Sequence, residues 1–206
     1  MTRSLRIVVA LLLCAVQFAQ AASLERFQSF LRATQSARGE FEQRVFDRNR
    51  KLLQSSKGTF VFQRPGRFRW TYSAPNEQLL VGDGTRVWIY DKELNQVSVR
   101  RLATALGSTP AALLAGSPGI EKAFDFTEEG ERDGLQWLEA KPREREAGFE
   151  RIRLGFGATG VDAMELVDHF SQTTVLRFSN LVRNPDLDAS TFRFSPPPGA
   201  DVLGER

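Results

Sequence analysis

The feature that most constrains the fold is the segment 58–75, GTFVFQRPGRFRWTYSAP, which predicts a β-hairpin with one aromatic face. Large side chains recur at every second position on both sides of a Pro65-Gly66 turn, and this alternation places them on one side of a sheet. They are Phe60, Phe62, Phe68, Trp70 and Tyr72. The same alternation puts Arg64 on the aromatic face, beside the turn. One guanidinium at the edge of such a face indicates either a sheet core or an apolar ligand site with a polar latch.

The N-terminal 21 residues predict a secretory signal peptide. Two arginines precede an almost wholly apolar stretch over residues 7–19, and Ala19-Gln20-Ala21 places small residues where a signal peptidase cuts. The apolar stretch is shorter than the roughly 18 residues that a membrane-spanning helix needs. Cys14 follows leucine, not the small residue that usually precedes a lipid-modified cysteine. We therefore expect cleavage after residue 21 and a soluble exported protein.

The mature chain, residues 22–206, is expected to form one domain without disulfides. The single cysteine leaves with the signal peptide, which excludes thiol catalysis and cysteine-ligated metal sites. The nearly neutral total charge argues against nucleic acid as a main partner. Residues 22–106 carry 15 basic and 8 acidic side chains, whereas residues 107–206 carry 11 and 17. Separate faces of opposite charge could steer an acidic partner, but we expect the strands of the two halves to intermix.

The hydrophobic pattern predicts an α+β fold with one helix first and about eleven antiparallel strands. Leu24, Phe27 and Leu31 recur at helical spacing after Ser23, a candidate N-cap, and Gly39 is expected to end this helix. Alternating segments predict eleven strands, at 41–45, 58–64, 67–72, 77–81, 86–91, 96–100, 123–128, 135–140, 149–156, 163–170 and 173–182, and a last short strand is indicated at 192–194. Residues 196–199 are expected to end the domain.

Two short helix-compatible runs interrupt the strands, at residues 102–106 and 110–114. Thr109 is a candidate cap for a helix that starts at Pro110. Neither run is long enough to be stable alone, so both must lie on another element. A sheet of this length must curl, and its inner side needs filling. The expected architecture is therefore one curved sheet with a helical lid over an apolar cavity.

Candidate catalytic groups are few. His169 is the only histidine and follows Asp168, but no nucleophile stands in a recognisable motif and no further histidine could complete a metal site. We interpret it as a surface residue at a strand end. Asp83 and Asp91 flank a hairpin and are interpreted as turn residues. The sequence lacks a phosphate-binding loop and a dinucleotide-binding glycine pattern. We expect no enzyme activity, no metal and no cofactor.

The order and spacing of the motifs resemble the periplasmic outer-membrane lipoprotein carrier family, LolA. The resemblance starts with the run 63–70, QRPGRFRW, and covers nearly the whole mature chain. Its further positions are Pro75, Asp83-Gly84, Val87-Trp88-Ile89-Tyr90, Gln96-Val97, Thr109-Pro110, Leu113-Leu114, Asp168, Gln172, Thr174, Phe192-Arg193-Phe194, Pro197 and Gly199. Ser171 departs from the pattern, since the family often has glycine there.

The resemblance implies an incomplete β-barrel closed by a helical lid, whose apolar interior receives the acyl chains of a lipoprotein. It also implies three partners: the acylated cargo, an ATP-driven release complex in the inner membrane, and an outer-membrane receptor that is itself a lipoprotein. The arginine of the family's Arg-Pro motif corresponds to Arg64, which would hold the lid shut by hydrogen bonds and take part in cargo transfer. The protein would then be a monomeric periplasmic chaperone.

Six aromatic residues are predicted to contact acyl chains, with about half of the group facing the cargo. They are Phe60, Phe62, Phe68, Trp70, Tyr72 and Trp88. Ordinary sheet core is the alternative for these side chains, and a surface charge is the alternative for Arg64. The alternative function is a periplasmic lipid-sensing or lipoprotein-sensing regulatory module of the same fold. A secreted hydrolase, the third class, has no candidate catalytic machinery.

Overall fold

The computed structural model describes residues 22–102, 110–116, 120–144 and 148–204. Helix α1 spans Ala22–Ala33 and the short helix α2 spans Pro110–Leu114. Two 3₁₀ turns lie at Ile120–Ala123 and Ala189–Phe192. The strands are β1 Ser36–Phe46, β2 Leu52–Gln63, β3 Arg67–Ala74, β4 Gln78–Asp83, β5 Arg86–Asp91, β6 Gln96–Arg101, β7 Phe124–Arg132, β8 Leu135–Pro142, β9 Arg151–Phe156, β10 Val161–Val167, β11 Thr173–Arg183 and β12 Asp201–Gly204.

The twelve strands form one sheet in the order β12-β6-β5-β4-β3-β2-β1-β11-β10-β9-β8-β7. Each neighbouring pair is antiparallel except β12 and β6, which are parallel. Because β7 and β12 lie at opposite edges, the sheet is not closed. This confirms the predicted incomplete barrel of the α+β class, with one strand more than the approximate count expected from the sequence.

The end of the chain differs from the prediction. Phe192 belongs to a 3₁₀ turn and not to a strand, because Asp188 caps this turn by accepting a hydrogen bond from Ser190 N at 2.7 Å. The chain also continues past residues 196–199 and adds β12 to the edge of the sheet beside β6. Three residues of alternation were too short a signal to distinguish a strand from a turn.

The first helix ends earlier than predicted, at Ala33, and Gly39 lies inside β1. Asn184 fixes the junction between α1 and β1: its Nδ2 donates to Ala33 O at 2.8 Å, and its Oδ1 accepts from Gln35 N at 2.8 Å. The glycine is explained by packing instead, since a Cβ atom at residue 39 would lie 3.0 Å from the ring of Phe60. The predicted run 102–106 and its neighbour Thr109 lie outside the described residues, apart from the buried Leu102.

The expected intermixing of the two charged halves is wrong. Strands β1 to β6 are contiguous in the sheet, β7 to β11 are contiguous, and the two groups meet only where β1 pairs with β11. Only β12 crosses to the other half. Each of these two groups folds as a meander, so consecutive strands within a group are neighbours in the sheet, whereas β6 and β7 lie far apart. The basic and acidic halves of the sequence therefore form different halves of the sheet.

The main hydrophobic core lies on the face of the sheet that α1 and α2 cover, which we call the inner face. Phe60, Trp70 and Leu80 are aligned across three adjacent strands on this side. Phe68 crosses above Gly82, where a Cβ atom would lie only 2.4 Å from its ring. The opposite, outer face of β3 to β5 is covered by the segment that precedes β12. This arrangement places both helices over one apolar surface.

Candidate functional site

Arg64 lies at the turn between β2 and β3, where its side chain reaches the ends of both helices. Its Nε and Nη2 donate to Leu114 O at 3.1 and 2.9 Å. Its Nη1 donates to Thr34 O at 2.6 Å and to Leu31 O at 3.2 Å. The last carbonyls of a helix have no partner within it and carry the negative end of the helix dipole. One guanidinium therefore caps the C-terminal ends of α1 and α2 together.

The surroundings of this guanidinium are otherwise apolar. Its Cζ lies 5.0 Å from the ring centre of Phe30 and 5.2 Å from that of Phe62, within the range of cation–π attraction. Burial lowers the pKa of Arg64 to about 10, which leaves the group protonated at neutral pH. No carboxylate of the described residues lies within 4.0 Å of it. The positive charge is therefore compensated by carbonyl dipoles and aromatic rings.

The backbone of the same turn also binds the helices. Arg64 N donates to Gln35 O at 2.8 Å, and Gly66 N donates to Ala115 O at 2.7 Å. Gly66 adopts a positive φ of 69°, and a Cβ atom there would lie 2.5 Å from Leu102 Cδ2. Glycine is required at this position on both counts. The β2–β3 turn thus joins the two helices, which together form the lid.

A cavity of about 30 Å³ lies between the lid and strands β7 to β10. Arg64 is the one charged residue among those that line it: Phe27, Phe30, Leu31, Arg64, Leu113, Leu114, Phe124, Phe126, Ala140, Ile152, Leu154, Val161 and Met164. A volume of this size holds about one or two water molecules and no acyl chain. The structure is therefore a closed state, and a long apolar ligand could enter only if the lid moved.

The aromatic side chains of the hairpin lie beside this cavity and do not line it. Phe60, Phe62, Phe68 and Trp70 are buried on the inner face, each at most 2% exposed. The rings of Phe60 and Trp70 stack with their centres 5.3 Å apart. Tyr72 is half-buried and donates to Gln43 Oε1 at 3.0 Å, and burial raises its pKa to about 12. These residues form the core wall next to the cavity in the closed state.

Trp88 is not brought together with the other five predicted residues. Its neighbours Val87 and Ile89 face the inner side, so alternation puts Trp88 on the outer face, where its ring lies 5.8 Å from that of Phe194. Its Nε1 donates to Asp83 Oδ2 at 3.0 Å, while Asp83 Oδ1 accepts from the backbone of the β4–β5 turn. Trp88 thus supports a turn and lies outside the candidate site.

Sequence reasoning missed the side chains that do line the cavity. Phe124 and Phe126 on β7, and Ile152 and Leu154 on β9, show the same alternation that revealed the hairpin. Their pattern was sufficient to predict an inward face. It did not indicate a cavity, because that depends on where the helices lie.

The single histidine of the sequence is at the surface, as predicted. His169 is about half exposed in the turn between β10 and β11, and its Nδ1 lies 3.9 Å from Glu150 Oε1.

Among the residues that the structure describes, no three potential metal ligands are grouped. Within the same residues, no helix combines the length and hydrophobicity required to cross a bilayer.

A protein-family model covers this arrangement. The family described as "Outer membrane lipoprotein carrier protein LolA" matches residues 32–195, which include the Arg64 turn, α2 and every strand except β12. The chain belongs to the LolA family. The resemblance inferred from the order of the hairpin and turn motifs is therefore confirmed.

Curated relatives agree with this assignment. Two proteins named outer-membrane lipoprotein carrier protein are 48% identical over 187 residues in Dechloromonas aromatica and 50% identical over 188 residues in Cupriavidus taiwanensis. These alignments cover 91% and 90% of this chain, and 90% and 89% of the relatives. A LolA superfamily protein of Nitrosomonas europaea, of known structure, is 13% identical and superimposes with a TM-score of 0.51. That comparison covers 85% of this chain and 98% of the solved one, and it supports the fold alone.

Proposed function

We propose that this protein is a periplasmic chaperone that shields the acyl chains of lipoproteins on their way to the outer membrane. The observation that carries the proposal is Arg64, which holds both lid helices over an apolar inner face through carbonyl groups alone. Membership of the LolA family and the names of the curated relatives support it. The role of Arg64 is that of a latch: its hydrogen bonds keep the lid closed when no cargo is present.

The energetics of the task require such an enclosed site. Lipoprotein acyl chains carry on the order of 40 methylene groups, and exposing them to water costs roughly 30 kcal/mol. The cargo must therefore remain shielded between the two membranes. In the closed state the cavity is too small for one chain, so binding must displace the lid and break the bonds of Arg64. That cost lowers the net affinity and makes release possible.

We propose that the inner-face aromatic residues contact acyl chains once the lid has moved. Phe62 and Phe68 lie closest to the latch along the chain, next to the turn that carries Arg64. Phe60, Trp70 and Tyr72 continue this wall away from the turn. Since Trp88 lies on the outer face, it has no part in this surface.

The same reasoning proposes the partners and the location. The cargo would be received from an ATP-driven release complex in the inner membrane and passed to an outer-membrane lipoprotein receptor. The carrier would be a monomer of one domain, residues 22–206, exported by a signal peptide over residues 1–21 and active without catalysis. A receptor that buries the acyl chains more completely would bind the cargo more tightly than the carrier does, because opening the lid lowers the affinity of the carrier.

The test is whether the exported, purified protein keeps a triacylated lipoprotein soluble without detergent as a one-to-one complex. We expect a soluble complex that forms in the presence of inner-membrane vesicles, the release complex and ATP. If the lipoprotein stayed in the membrane under these conditions, the proposed function would be refuted. Vesicles without ATP provide the control for spontaneous extraction.

A further inference from the structure

We propose that Glu128 is a second latch, which holds the free end of α1 and must release it before the cavity can open. Glu128 lies on β7 and faces α1 on the inner side of the sheet. Its Oε1 accepts from Leu24 N at 2.9 Å, and its Oε2 accepts from Ser23 N at 3.2 Å. Ser23 Oγ also donates to Glu128 Oε2. The proposal rests on the proposed function in two respects: the cavity is the acyl-chain site, and the exported protein begins at residue 22.

The contact replaces the cap that the sequence was expected to supply. Ser23 was a candidate N-cap, but α1 already begins at Ala22, so Ser23 lies within its first turn. The first backbone N–H groups of a helix lack acceptors within it and carry the positive end of the dipole. A carboxylate from a distant strand satisfies two of them here. Ser23 is fully buried, and its Oγ also lies 3.1 Å from Trp137 O, which places this end of α1 against β8.

Chain connectivity decides which end of α1 can move. The C-terminal end of α1 is separated from β1 by two residues, and Asn184 makes hydrogen bonds to residues on both sides of this junction. That end can act only as a pivot. If the signal peptide is cleaved after residue 21, as proposed above, α1 is the first element of the exported protein and its N-terminal end is not tethered by a preceding segment. Displacement of α1 therefore means a swing of the end that Glu128 holds.

The cavity lies beneath the part of the sheet that this swing would uncover. Phe27, Phe30 and Leu31 of α1 form its roof, while Phe126 and Leu154 belong to its floor on β7 and β9. The bonds of Arg64 to α1 are close to the pivot, whereas its bonds to Leu114 hold α2. The two latches thus divide the lid: Arg64 holds α2 and the pivot, and Glu128 holds the free end of α1.

One further contact of α1 must break in the same motion. Arg26 Nη1 donates to Gly157 O at 2.9 Å, but this bond is exposed and water can replace it at little cost. The bonds of Glu128 are partly buried and carry a formal charge, so they are the stronger restraint on the free end.

The first test compares Glu128→Gln with Glu131→Gln, an exposed glutamate on the same strand, in protein purified after export. Hydrogen exchange of residues 26–33 should accelerate about tenfold in Glu128→Gln and stay unchanged in Glu131→Gln, because a detached α1 is too short to remain helical. The dissociation constant of a fluorescent long-chain fatty acid should fall about tenfold in Glu128→Gln alone, since less free energy opposes opening. A purely structural glutamate would instead weaken binding.

The second test does not depend on the folding of that variant. The mature chain lacks cysteine, so Ser23→Cys and Glu128→Cys can be joined selectively by a short reducible cross-linker. The joined protein should lose fatty-acid binding and regain it after reduction. Binding by the joined protein, or unchanged exchange and affinity in Glu128→Gln, would overturn the second latch. Failure of the wild-type protein to bind the fatty acid would instead count against the proposed function.

Discussion

Replacing Arg64 with leucine should separate cargo uptake from cargo delivery. The substitution places a shorter, apolar side chain in an otherwise apolar site, so the fold should form. It removes the hydrogen bonds to Leu114 O, Thr34 O and Leu31 O and the contacts with two aromatic rings. The carbonyls at both helix ends then lose their charged partner. The closed lid becomes less stable, while the apolar inner face is retained.

The magnitude follows from the number and type of these bonds. A hydrogen bond to a charged group contributes about 1.5–3 kcal/mol net, and water takes over part of each bond when the lid opens. We assign about 3 kcal/mol to the stabilisation of the closed lid by the whole set of bonds, which corresponds to roughly a hundredfold change in the ratio of closed to open protein. The affinity for an acyl ligand should increase by a comparable factor, and release should slow accordingly.

The assay uses a fluorescent long-chain fatty acid and has two parts. The first measures its dissociation constant at equilibrium, and the second measures the rate of its transfer to acceptor vesicles after mixing. Arg64→Leu should bind about a hundredfold more tightly and transfer correspondingly more slowly. Arg67→Leu is the matched control, because this neighbouring arginine is exposed and its side chain donates a hydrogen bond to Gln63 Oε1 at 3.4 Å and none to the lid helices within the described residues. Affinity and transfer within twofold of the wild type would show that Arg64 is not a latch.

Three further predictions concern the elements that support the site. Gly82→Ala should lower the free energy of unfolding by about 1–3 kcal/mol in urea titration, because the new methyl group would lie 2.4 Å from the ring of Phe68; a full-stability variant would contradict this packing. Asn184→Ala should cost about 1–2 kcal/mol in the same titration, since it leaves Gln35 N and Ala33 O without their partner; no loss would mean that the junction is held otherwise. Asp83 concerns pH: burial raises its pKa, but hydrogen bonds from Trp88 and from the turn outweigh this and hold the pKa below its usual value. Its stabilising effect is therefore present above about pH 4 and lost as the pH falls through the lowered pKa, so the acid-induced change in Trp88 fluorescence should disappear in Asp83→Asn.

The hairpin and the sheet could be predicted because they depend on local alternation. Phe60, Phe62, Phe68 and Trp70 share a face whatever the rest of the chain does, and Arg64 shares it for the same reason. Trp88 was grouped with these residues, although the alternation in its own strand places it on the opposite face. Its position is out of phase with Val87 and Ile89, which are the inward residues of β5.

The lid contacts could not be predicted, since they join residues that are far apart in sequence. Arg64 and Leu114 are separated by 50 residues, and Ser23 and Glu128 by 105. No local pattern identifies the acceptors: Leu114 contributes a backbone carbonyl, and Glu128 is one of several glutamates on β7. The parallel addition of β12 to β6 is long-range in the same way, and four residues at the end of a chain show little periodicity.

The chemistry of the two latches suits a carrier that must open repeatedly. A buried ion pair between lid and sheet would leave two separated charges whenever it broke, one on the lid and one on the sheet, each at a cost of several kcal/mol. Here each charge meets the backbone of a helix end instead: Arg64 meets carbonyls, and Glu128 meets N–H groups. Water can satisfy a helix end as readily as a side chain can, so opening leaves one formal charge to be solvated at each latch, where an ion pair would leave two. The closed state is thereby stable enough to cover the inner face, and weak enough for acyl chains to displace it.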